Sequence, residues 1–172
     1  MVDFFEMRNK DYTDGLYSLI EYINQITPTK DMRMIEIGSY IGESTSIFCE
    51  NFKEVVAVDP FYKHNSELDN VYLEFINRTS KYDNISYIRK KSDDAILDLI
   101  NEKFDFIYID GLHTYEQVKN DILNYLPLIN KNGFISGHDY QPDWKSVVDA
   151  VNETIGIPDK LFTDTSWVKN II

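Results

Sequence analysis

The sequence predicts an α/β fold in which a mainly parallel sheet carries helices on both faces. Short apolar runs rich in β-branched and aromatic residues alternate with segments of helical periodicity along the chain. Two of these runs each end near an acidic residue and enclose one amphipathic helix, between Phe104 and Tyr140. A right-handed β-α-β crossover would make the two strands parallel neighbours and bring Asp110, His113, His138 and Asp139 to one rim. We expect chemistry at this rim, because open α/β sheets bind ligands there.

Each predicted element rests on its own local pattern. Helices are predicted where apolar residues recur every three or four positions, and strands where β-branched or aromatic residues run together or alternate. In order, the elements are a helix over 16–26 that ends before Pro28, a strand at 32–37, a helix at 43–51, a strand at 55–58, a helix over 68–76, a strand at 85–88, a helix over 92–100, a strand at 104–109, a helix over 114–129, a strand at 134–136, a helix over 143–154, and two short strands in 161–168 that form a closing hairpin.

The helix over 114–129 has recognisable ends. Thr114 can cap the amides of the first turn, and Gln117 three residues later completes a capping box. We expect Lys131-Asn132-Gly133 to end the helix with a left-handed turn. Glu116 and Asp121 on this helix are predicted to be solvated charges.

Composition and charge restrict the possible functions. The chain has 172 residues, 43% of them hydrophobic and 27% charged, which fits a single domain with an N-terminal arm and helix at 1–31 and a core at 32–172. The formal net charge of -12 provides no basic surface for nucleic acid. We therefore expect a small polar or cationic molecule as the partner, and no nucleic acid.

The sequence contains neither a membrane-span pattern nor a signal-peptide pattern, and this predicts the location of the protein. No apolar run approaches the roughly 18 to 20 residues of a membrane span, and the N-terminus lacks the positive flank of a signal peptide. Cys49 is the only cysteine, so no disulfide forms within the chain, as suits a reducing compartment. These observations predict a cytoplasmic protein with no membrane partner.

A glycine-rich turn after the first strand predicts a ligand site. The segment reads Glu36-Ile37-Gly38-Ser39-Tyr40-Ile41-Gly42-Glu43-Ser44, and its two glycines let the backbone approach a ligand closely. Asp59 ends the second strand, 23 positions after Glu36, where an acid accepts hydrogen bonds from ribose hydroxyls. The alternative is that the glycines only make a tight strand-to-helix turn.

The glycine spacing indicates which nucleotide is bound. Tyr40 occupies the place of the second glycine in Gly-x-Gly-x-x-Gly, and the chain has no Gly-Lys-Ser/Thr for a triphosphate. Glu36 would repel a pyrophosphate but can stabilise an ammonium or sulfonium, directly or through water. The Glu-x-Gly-x-x-x-Gly form resembles motif I of class I S-adenosylmethionine-dependent methyltransferases.

The resemblance extends over residues 32–154. Asp110-Gly111-Leu112-His113-Thr114-Tyr115-Glu116 and His138-Asp139-Tyr140 are similar to segments of macrocin-type sugar O-methyltransferases and relatives of the cephalosporin hydroxylase. This resemblance implies a Rossmann-like sheet of seven strands with an antiparallel last strand. It also implies S-adenosylmethionine as cofactor. The implied cofactor-binding residues are Glu36, Gly38, Ser39, Tyr40, Gly42 and Ser44 at the methionine part, Asp59 at the ribose, Ser92 and Asp93 at the adenine, and Asp110.

Methyl transfer to an alcohol needs a base that removes the hydroxyl proton, or a metal ion that makes the hydroxyl more acidic. His113 and His138 are the candidate bases, because an ordinary imidazole titrates near pH ~6.5. Asp110 is the third candidate catalytic residue. For either histidine, the alternative is a structural role in hydrogen-bonding a loop or capping a helix.

The resemblance also implies a divalent metal ion. The group it points to holds such an ion with an acid after the fourth strand and two acids after the fifth, and the matching positions here are Asp110, His138 and Asp139. Since imidazole replaces one carboxylate, Mn²⁺, Fe²⁺ or Zn²⁺ is favoured over Mg²⁺. The alternative is that the two acids orient the cofactor and the backbone.

The function implied is transfer of a methyl group from S-adenosylmethionine to an oxygen of a small polyhydroxylated molecule such as a sugar. Two alternatives stay open, a metal-dependent hydroxylase or hydrolase and a non-catalytic S-adenosylmethionine-binding module. Tyr12, Tyr17 and Trp144 could shape the acceptor pocket or belong to the core. The chain is short, so a neighbour in a homo-oligomer could complete that pocket.

Overall fold

Seven strands form one sheet in the computed structural model, which describes residues 10–61 and 68–172. The strands are β1 Arg33–Ile37, β2 Glu54–Val58, β3 Ile85–Ile88, β4 Phe104–Ile109, β5 Ile129–Gly137, β6 Lys160–Leu161 and β7 Trp167–Asn170. Their order across the sheet is β3-β2-β1-β4-β5-β7-β6. Strands β1 to β5 are parallel, and β7 runs antiparallel to both β5 and β6. The predicted sheet and its closing hairpin are confirmed.

Helices cover both faces of this sheet, as predicted. They are α1 Lys10–Asn24, α2 Glu43–Asn51, α3 Leu68–Thr79, α4 Ser92–Ala95, α5 Tyr115–Tyr125 and α6 Lys145–Ile155. Phe106 belongs to the apolar cluster under α1 and α2, and its neighbour Ile107 to the cluster under α5 and α6. Phe75 of α3 contributes to a cluster with Ala57 on the first face, and Ala95 of α4 to the cluster on the second.

Burial on both faces explains the apolar character of the central strands. Side chains alternate between the two faces of a strand, so a strand covered on both sides needs consecutive apolar residues. In β4 the side chains from Phe106 to Tyr108 are all fully buried. Among the helices of the described ranges, none has the length and apolar character that crossing a membrane requires.

The boundary between α5 and β5 differs from the prediction. Helix α5 ends at Tyr125, a 3₁₀ turn follows at Leu126–Leu128, and Ile129 already begins β5. Pro127 has no amide hydrogen to continue the helix, so the chain leaves it earlier than the Lys131-Asn132-Gly133 signal suggests. Asn132, with a φ of 63°, lies instead in an irregularity within β5.

The segment after β3 also differs from the prediction. Helix α4 has four residues and passes into a 3₁₀ turn at Ile96–Asp98. Ala95 and Leu99 are buried, whereas Ile100 is exposed. The predicted helix over 92–100 is therefore too long, because only Ala95 and Leu99 of this segment are buried.

Candidate active site

A cavity of about 530 Å³ lies where β1, β2 and β4 end. Predicted cofactor-binding residues on its wall come from the turn after β1, the end of β2, the start of α4 and the end of β4. They are Gly38, Ser39, Tyr40, Ser44, Asp59, Ser92, Asp93 and Asp110. Glu36 and Gly42 are not among the lining residues.

Backbone hydrogen bonds fix the rim of the sheet one residue beyond the strands. The amide of Gly38 donates to the Val58 carbonyl (2.8 Å), and that of Asp110 donates to the Ile37 carbonyl (2.8 Å). The amide of His138 donates to the Ile109 carbonyl (3.1 Å). Gly38, Asp110 and His138 are therefore held in register by main-chain contacts.

Gly38 is required by both conformation and space. Its φ is 93°, in a region that L side chains rarely adopt, and a Cβ there would overlap the carbonyl oxygen of Asp110. The turn after β1 can therefore touch the turn after β4 directly. Tyr40, at a φ of 44°, continues this left-handed turn, and its amide donates to Oδ2 of Asp59 (2.9 Å).

Glu36 anchors the start of α2, and its predicted contact with the cofactor stays a prediction. Its side chain is fully buried beneath the cavity and accepts hydrogen bonds from the hydroxyls of Ser44 and Thr45 in the first turn of α2. The even position of Glu36 in β1 points it to the face covered by α1 and α2, away from the cavity. Gly42 precedes α2 with a φ of 82° and likewise shapes the turn without lining the cavity.

Asp59 lies where a ribose-binding acid was predicted. Its carboxylate lines the cavity and accepts hydrogen bonds from the amides of Tyr40 and Phe61. Burial raises the pKa of Asp59, although these backbone hydrogen bonds oppose the effect.

Asp121 is a wall residue of the cavity, and the prediction of a solvated charge was wrong. Its side chain is 1% exposed and accepts a hydrogen bond from Nε2 of Gln117 (3.0 Å). Burial raises the pKa of Asp121 to about 6, against hydrogen bonds from Ser92 and Gln117. Asp121 is one helical turn from buried Val118 and Tyr125, and this spacing is the sequence signal that could have indicated its burial.

Gln117 keeps only part of its predicted role. Its backbone amide donates a hydrogen bond to Oγ1 of Thr114 (3.3 Å), so Thr114 does cap the helix. Its side chain is turned toward Ser92, Asp93 and Asp121 and not back to the helix start. We call these four residues (Ser92, Asp93, Gln117 and Asp121) the α4–α5 corner; all of them line the cavity.

The four residues of the predicted chemical rim do come together, and we call them the acid–histidine cluster: Asp110, His113, His138 and Asp139. Nε2 of His113 lies 2.9 Å from Oδ2 of Asp139 and 3.5 Å from Oδ1 of Asp110. Nδ1 of His138 lies 3.2 Å from Oδ1 of Asp139 and 4.0 Å from Oδ1 of Asp110. Of the four, Asp110 and His113 line the cavity.

The charges in the acid–histidine cluster are strongly coupled. The carboxylates of Asp110 and then Asp139 raise the pKa of His113 to about 9, against the opposing effect of burial. Burial alone would raise the pKa of Asp139, but interactions with His113 and His138 hold it well below its usual range. At neutral pH, an imidazolium therefore lies between two carboxylates when no other cation is present. In that state the His113 ring carries a proton.

The geometry revises the candidate metal ligands. Within the described residues, side-chain donor atoms of Asp110, His113 and Asp139 all lie within 4.8 Å of one another. The predicted set contained His138, but its Nδ1 is farther from Asp110 than Nε2 of His113 is. Asp139 has a φ of 60°, a left-handed conformation that aspartate adopts more readily than most residues.

Among the predicted pocket aromatics whose side chains are described, Trp144 contacts the acid–histidine cluster. Its ring centroid lies 4.8 Å from that of His113, and its side chain is 41% exposed. Tyr17 on α1 is also exposed. The side chain of Tyr12 lies outside the described part of the chain.

The sheet order, the cavity at its carboxyl edge and the acids at successive strand ends define a Rossmann-like protein of the methyltransferase class. A family model described as "Methyltransferase domain" matches residues 35–140. The chain belongs to this family.

Two curated relatives are similar in sequence. Uncharacterized protein R132 of Acanthamoeba polyphaga mimivirus is 29% identical over 147 residues, which is 81% of this chain and 66% of that protein. Uncharacterized protein y4gI of Sinorhizobium fredii is 28% identical over 119 residues, which is 62% of this chain and 13% of that protein. The chain thus spans just under two thirds of one relative and a small part of the other.

Solved methyltransferase structures share the fold at low sequence identity. The N-methyltransferase NodS from Bradyrhizobium japonicum has a TM-score of 0.64 at 13% identity, covering 95% of this chain and 99% of its own. CalS11, a TDP-rhamnose 3'-O-methyltransferase of calicheamicin biosynthesis, has 0.66 at 13% identity, covering 95% and 81%. An O-methyltransferase from Bacillus cereus in complex with SAH has 0.66 at 15% identity, covering 97% and 84%.

Proposed function

We propose that this protein transfers a methyl group from S-adenosylmethionine to an oxygen of a small polyhydroxylated acceptor such as a sugar. The observation that carries the proposal is one cavity whose wall runs from the glycine turn after β1 to Asp110 and His113 after β4. A cofactor in it would extend from a nucleoside end at Asp59 to a reactive end beside the acid–histidine cluster.

The wall chemistry suits a cationic cofactor without phosphate. Asp59 can accept hydrogen bonds from ribose hydroxyls, and the turn at Gly38 and Ser39 leaves room for the amino-acid end. Asp93 and Asp110 add negative charge to the same wall, which favours a sulfonium and an ammonium over a pyrophosphate.

The chemistry of the acid–histidine cluster supports an oxygen as the atom that accepts the methyl group. Carboxylates at Asp110 and Asp139 can accept hydrogen bonds from neighbouring hydroxyls of a sugar, and the exposed ring of Trp144 offers a flat apolar surface beside them. CalS11 and the Bacillus cereus protein are O-methyltransferases, which supports oxygen, whereas NodS is an N-methyltransferase.

Proton removal depends on the state of His113. With its pKa raised to about 9, His113 already carries a proton at neutral pH and cannot take another from the acceptor. It can instead hold the acceptor oxygen by donating a hydrogen bond, while Asp110 and Asp139 fix its ring. His138 is buried behind Asp139, so it stays the candidate base only if acceptor binding opens a path to it.

The residues fit a divalent cation. Within the described ranges, Nε2 of His113 is buried and has no aligned hydrogen bond, although two carboxylate oxygens lie within 3.5 Å of it. Asp110, His113 and Asp139 would hold the ion, and the mixed nitrogen and oxygen set favours Mn²⁺, Fe²⁺ or Zn²⁺ over Mg²⁺. A bound ion would make an acceptor hydroxyl more acidic and would displace the proton of His113.

Calorimetry with S-adenosylhomocysteine tests the cofactor part. We expect binding that Asp59→Asn weakens about tenfold, because a carboxylate that accepts from ribose is lost. Asp83→Asn, an exposed turn residue, is the matched control and should leave binding unchanged. Absence of binding to the unaltered protein would refute the proposal.

Transfer assays with methyl-labelled S-adenosylmethionine test the reaction. Sugars, nucleotide sugars, catechols and amines serve as acceptors, with and without a chelator. Label on an oxygen supports the proposal. Cofactor binding without any transfer favours the non-catalytic module, and iron- or zinc-dependent turnover without S-adenosylmethionine favours a hydroxylase or hydrolase.

Titration with Mn²⁺, followed by the relaxation of water protons, tests the cation without measuring activity. We expect binding that Asp139→Asn abolishes and that Asp143→Asn, an exposed neighbour, does not change. Equal binding by both variants would place the ion elsewhere.

A further inference from the structure

The α4–α5 corner contains more hydrogen-bond acceptors than it can satisfy with its own donors. Nε2 of Gln117 has three acceptors in reach: Oδ1 of Asp121 at 3.0 Å, Oγ of Ser92 at 3.2 Å and Oδ1 of Asp93 at 3.4 Å. A side-chain amide has two hydrogens, and the Ser92 hydroxyl has one. Two carboxylates with four oxygens therefore face three donor hydrogens.

Asp121 is an unusual residue to bury at such a place. Its side chain is 1% exposed, and within residues 10–61 and 68–172 no lysine or arginine forms an ion pair with it. Burying a carboxylate without a cation opposes folding, since the charge loses its hydration. The raised pKa of Asp121 reflects this penalty. A ligand that brings donors to the cavity would offset it.

The position of the corner indicates which part of a cofactor it meets. Asp59 at the end of β2 is the proposed ribose ligand, and Ser92 and Asp93 begin α4 just after the neighbouring strand β3. Asp121 approaches from α5, and its Oδ2 lies 3.7 Å from where a Cβ of Gly111 would stand, at the cavity wall after β4. A base attached to the ribose would thus have its edge at Gln117 and Asp121.

We infer that Asp121, with Gln117 fixing its carboxylate, selects the exocyclic amine of the cofactor's adenine. This inference rests on the proposed function and adds specificity-determining residues to it. An amine brings two hydrogens to the acceptor-rich corner, whereas a carbonyl at the same ring position would place an oxygen against a carboxylate. Such a site disfavours the wrong base, because the carbonyl oxygen would face an oxygen of Asp121 with no hydrogen between them.

Calorimetry with two ligands tests the inference: S-adenosylhomocysteine and S-inosylhomocysteine, in which a carbonyl replaces the amine. We expect the unaltered protein to bind the inosine compound more weakly by about tenfold or more. In Asp121→Asn, affinity for S-adenosylhomocysteine should fall about tenfold. Affinity for the inosine compound should stay or rise, because the new amide can donate to its carbonyl. Glu116→Gln, the same change on the exposed side of α5, is the matched control and should keep the original preference.

The outcomes separate this inference from the proposed function. Equal affinity of the unaltered protein for both ligands overturns the inference, and so does an equal loss for both ligands in Asp121→Asn. If the unaltered protein binds neither ligand, the proposed function itself fails. The two-ligand comparison on the unaltered protein needs no variant, so a folding defect in Asp121→Asn would leave the test intact.

Discussion

His113 shows how two neighbouring charges can reverse the expected role of a residue. A histidine beside a cofactor cavity suggests a base, but the carboxylates of Asp110 and Asp139 raise its pKa to about 9. Because the folded pKa lies above the ordinary value of 6.5, the ion pairs stabilise the fold fully below that pH and are lost as the pH rises through about 9.

His113→Gln should therefore lower the free energy of unfolding at about pH 6 by on the order of 2 kcal/mol, after allowing for partial exposure. The difference from the unaltered protein should shrink toward pH ~9.5 as the imidazolium loses its proton. Urea unfolding with a chelator present measures both values. Asp143→Asn is the control, and a difference that does not change with pH would contradict the assignment.

Asp121 should reduce the stability of the ligand-free protein. Its folded pKa of about 6 lies above the ordinary 3.8, so the fold favours the protonated form, and that contribution is lost as the pH rises through about 6. Asp121→Asn should be more stable than the unaltered protein at pH ~8, by on the order of 2 kcal/mol, with a much smaller difference near pH ~4.5. Thermal melts at both values test this, and a less stable variant at the higher pH would refute it.

The sequence places some site residues well and others poorly, for a physical reason. Asp59, Ser92, Asp93 and Asp110 follow strand ends, and parallel topology alone brings those ends to the cavity. Whether a side chain within an element faces cavity, core or solvent depends on packing that no short motif encodes. Asp121 is therefore buried where the helix pattern predicts a solvated charge, and Glu36 is fully buried under the turn that its motif predicts to bind the cofactor.

At the scale of elements, the turn after β1 depends on Gly38. An alanine there would adopt an unfavourable φ and overlap the Asp110 carbonyl, so Gly38→Ala should destabilise the protein by more than about 2 kcal/mol and abolish cofactor binding. Gly156→Ala is the control for backbone strain alone: its φ of 76° and ψ of −169° also favour glycine, but no atom lies within 4 Å of the added Cβ. It should cost about 1–3 kcal/mol, less than Gly38→Ala, and leave cofactor binding unchanged. Equal losses in urea unfolding would show that the close approach to Asp110 does not matter.

Element boundaries were predictable where one signal dominates. The helix at 43–51 and the strands at 85–88 and 104–109 have the predicted bounds, because periodicity changes sharply at each end. Between α5 and β5 two signals compete, Pro127 and Asn132-Gly133. Pro127 determines where the helix ends, because it removes a hydrogen-bond donor. Asn132 and Gly133 lie within β5, where the pairing with β4 is irregular.

At the scale of the whole molecule, the net charge of -12 should make stability depend on salt. Like charges oppose the compact state, and raising the ionic strength from about 20 mM to about 500 mM shortens the screening length severalfold. The melting temperature should rise by a few degrees over this range. The same salt series near the sequence pI of about 4.6, where the net charge is close to zero, serves as the control and should show a smaller rise. A fall in melting temperature with salt at neutral pH would contradict the argument.

The organisation of the whole chain is still a set of predictions. A single domain at 1–172, a homo-oligomer that completes the acceptor pocket and a cytoplasmic location each follow from the sequence. Light scattering on the purified protein measures the oligomeric state directly.

The main-chain contact between Gly38 and Asp110 makes the distance between methyl donor and acceptor independent of the side chains that select the acceptor. If one turn holds the methyl donor and the other the acceptor, their separation is set by backbone atoms and by the hydrogen bond from the Asp110 amide to Ile37. Side chains at the mouth, such as Leu112 and Trp144, take no part in that contact. New acceptors could therefore be explored by evolution, or by an engineer, through changes at the mouth that leave the reaction distance untouched.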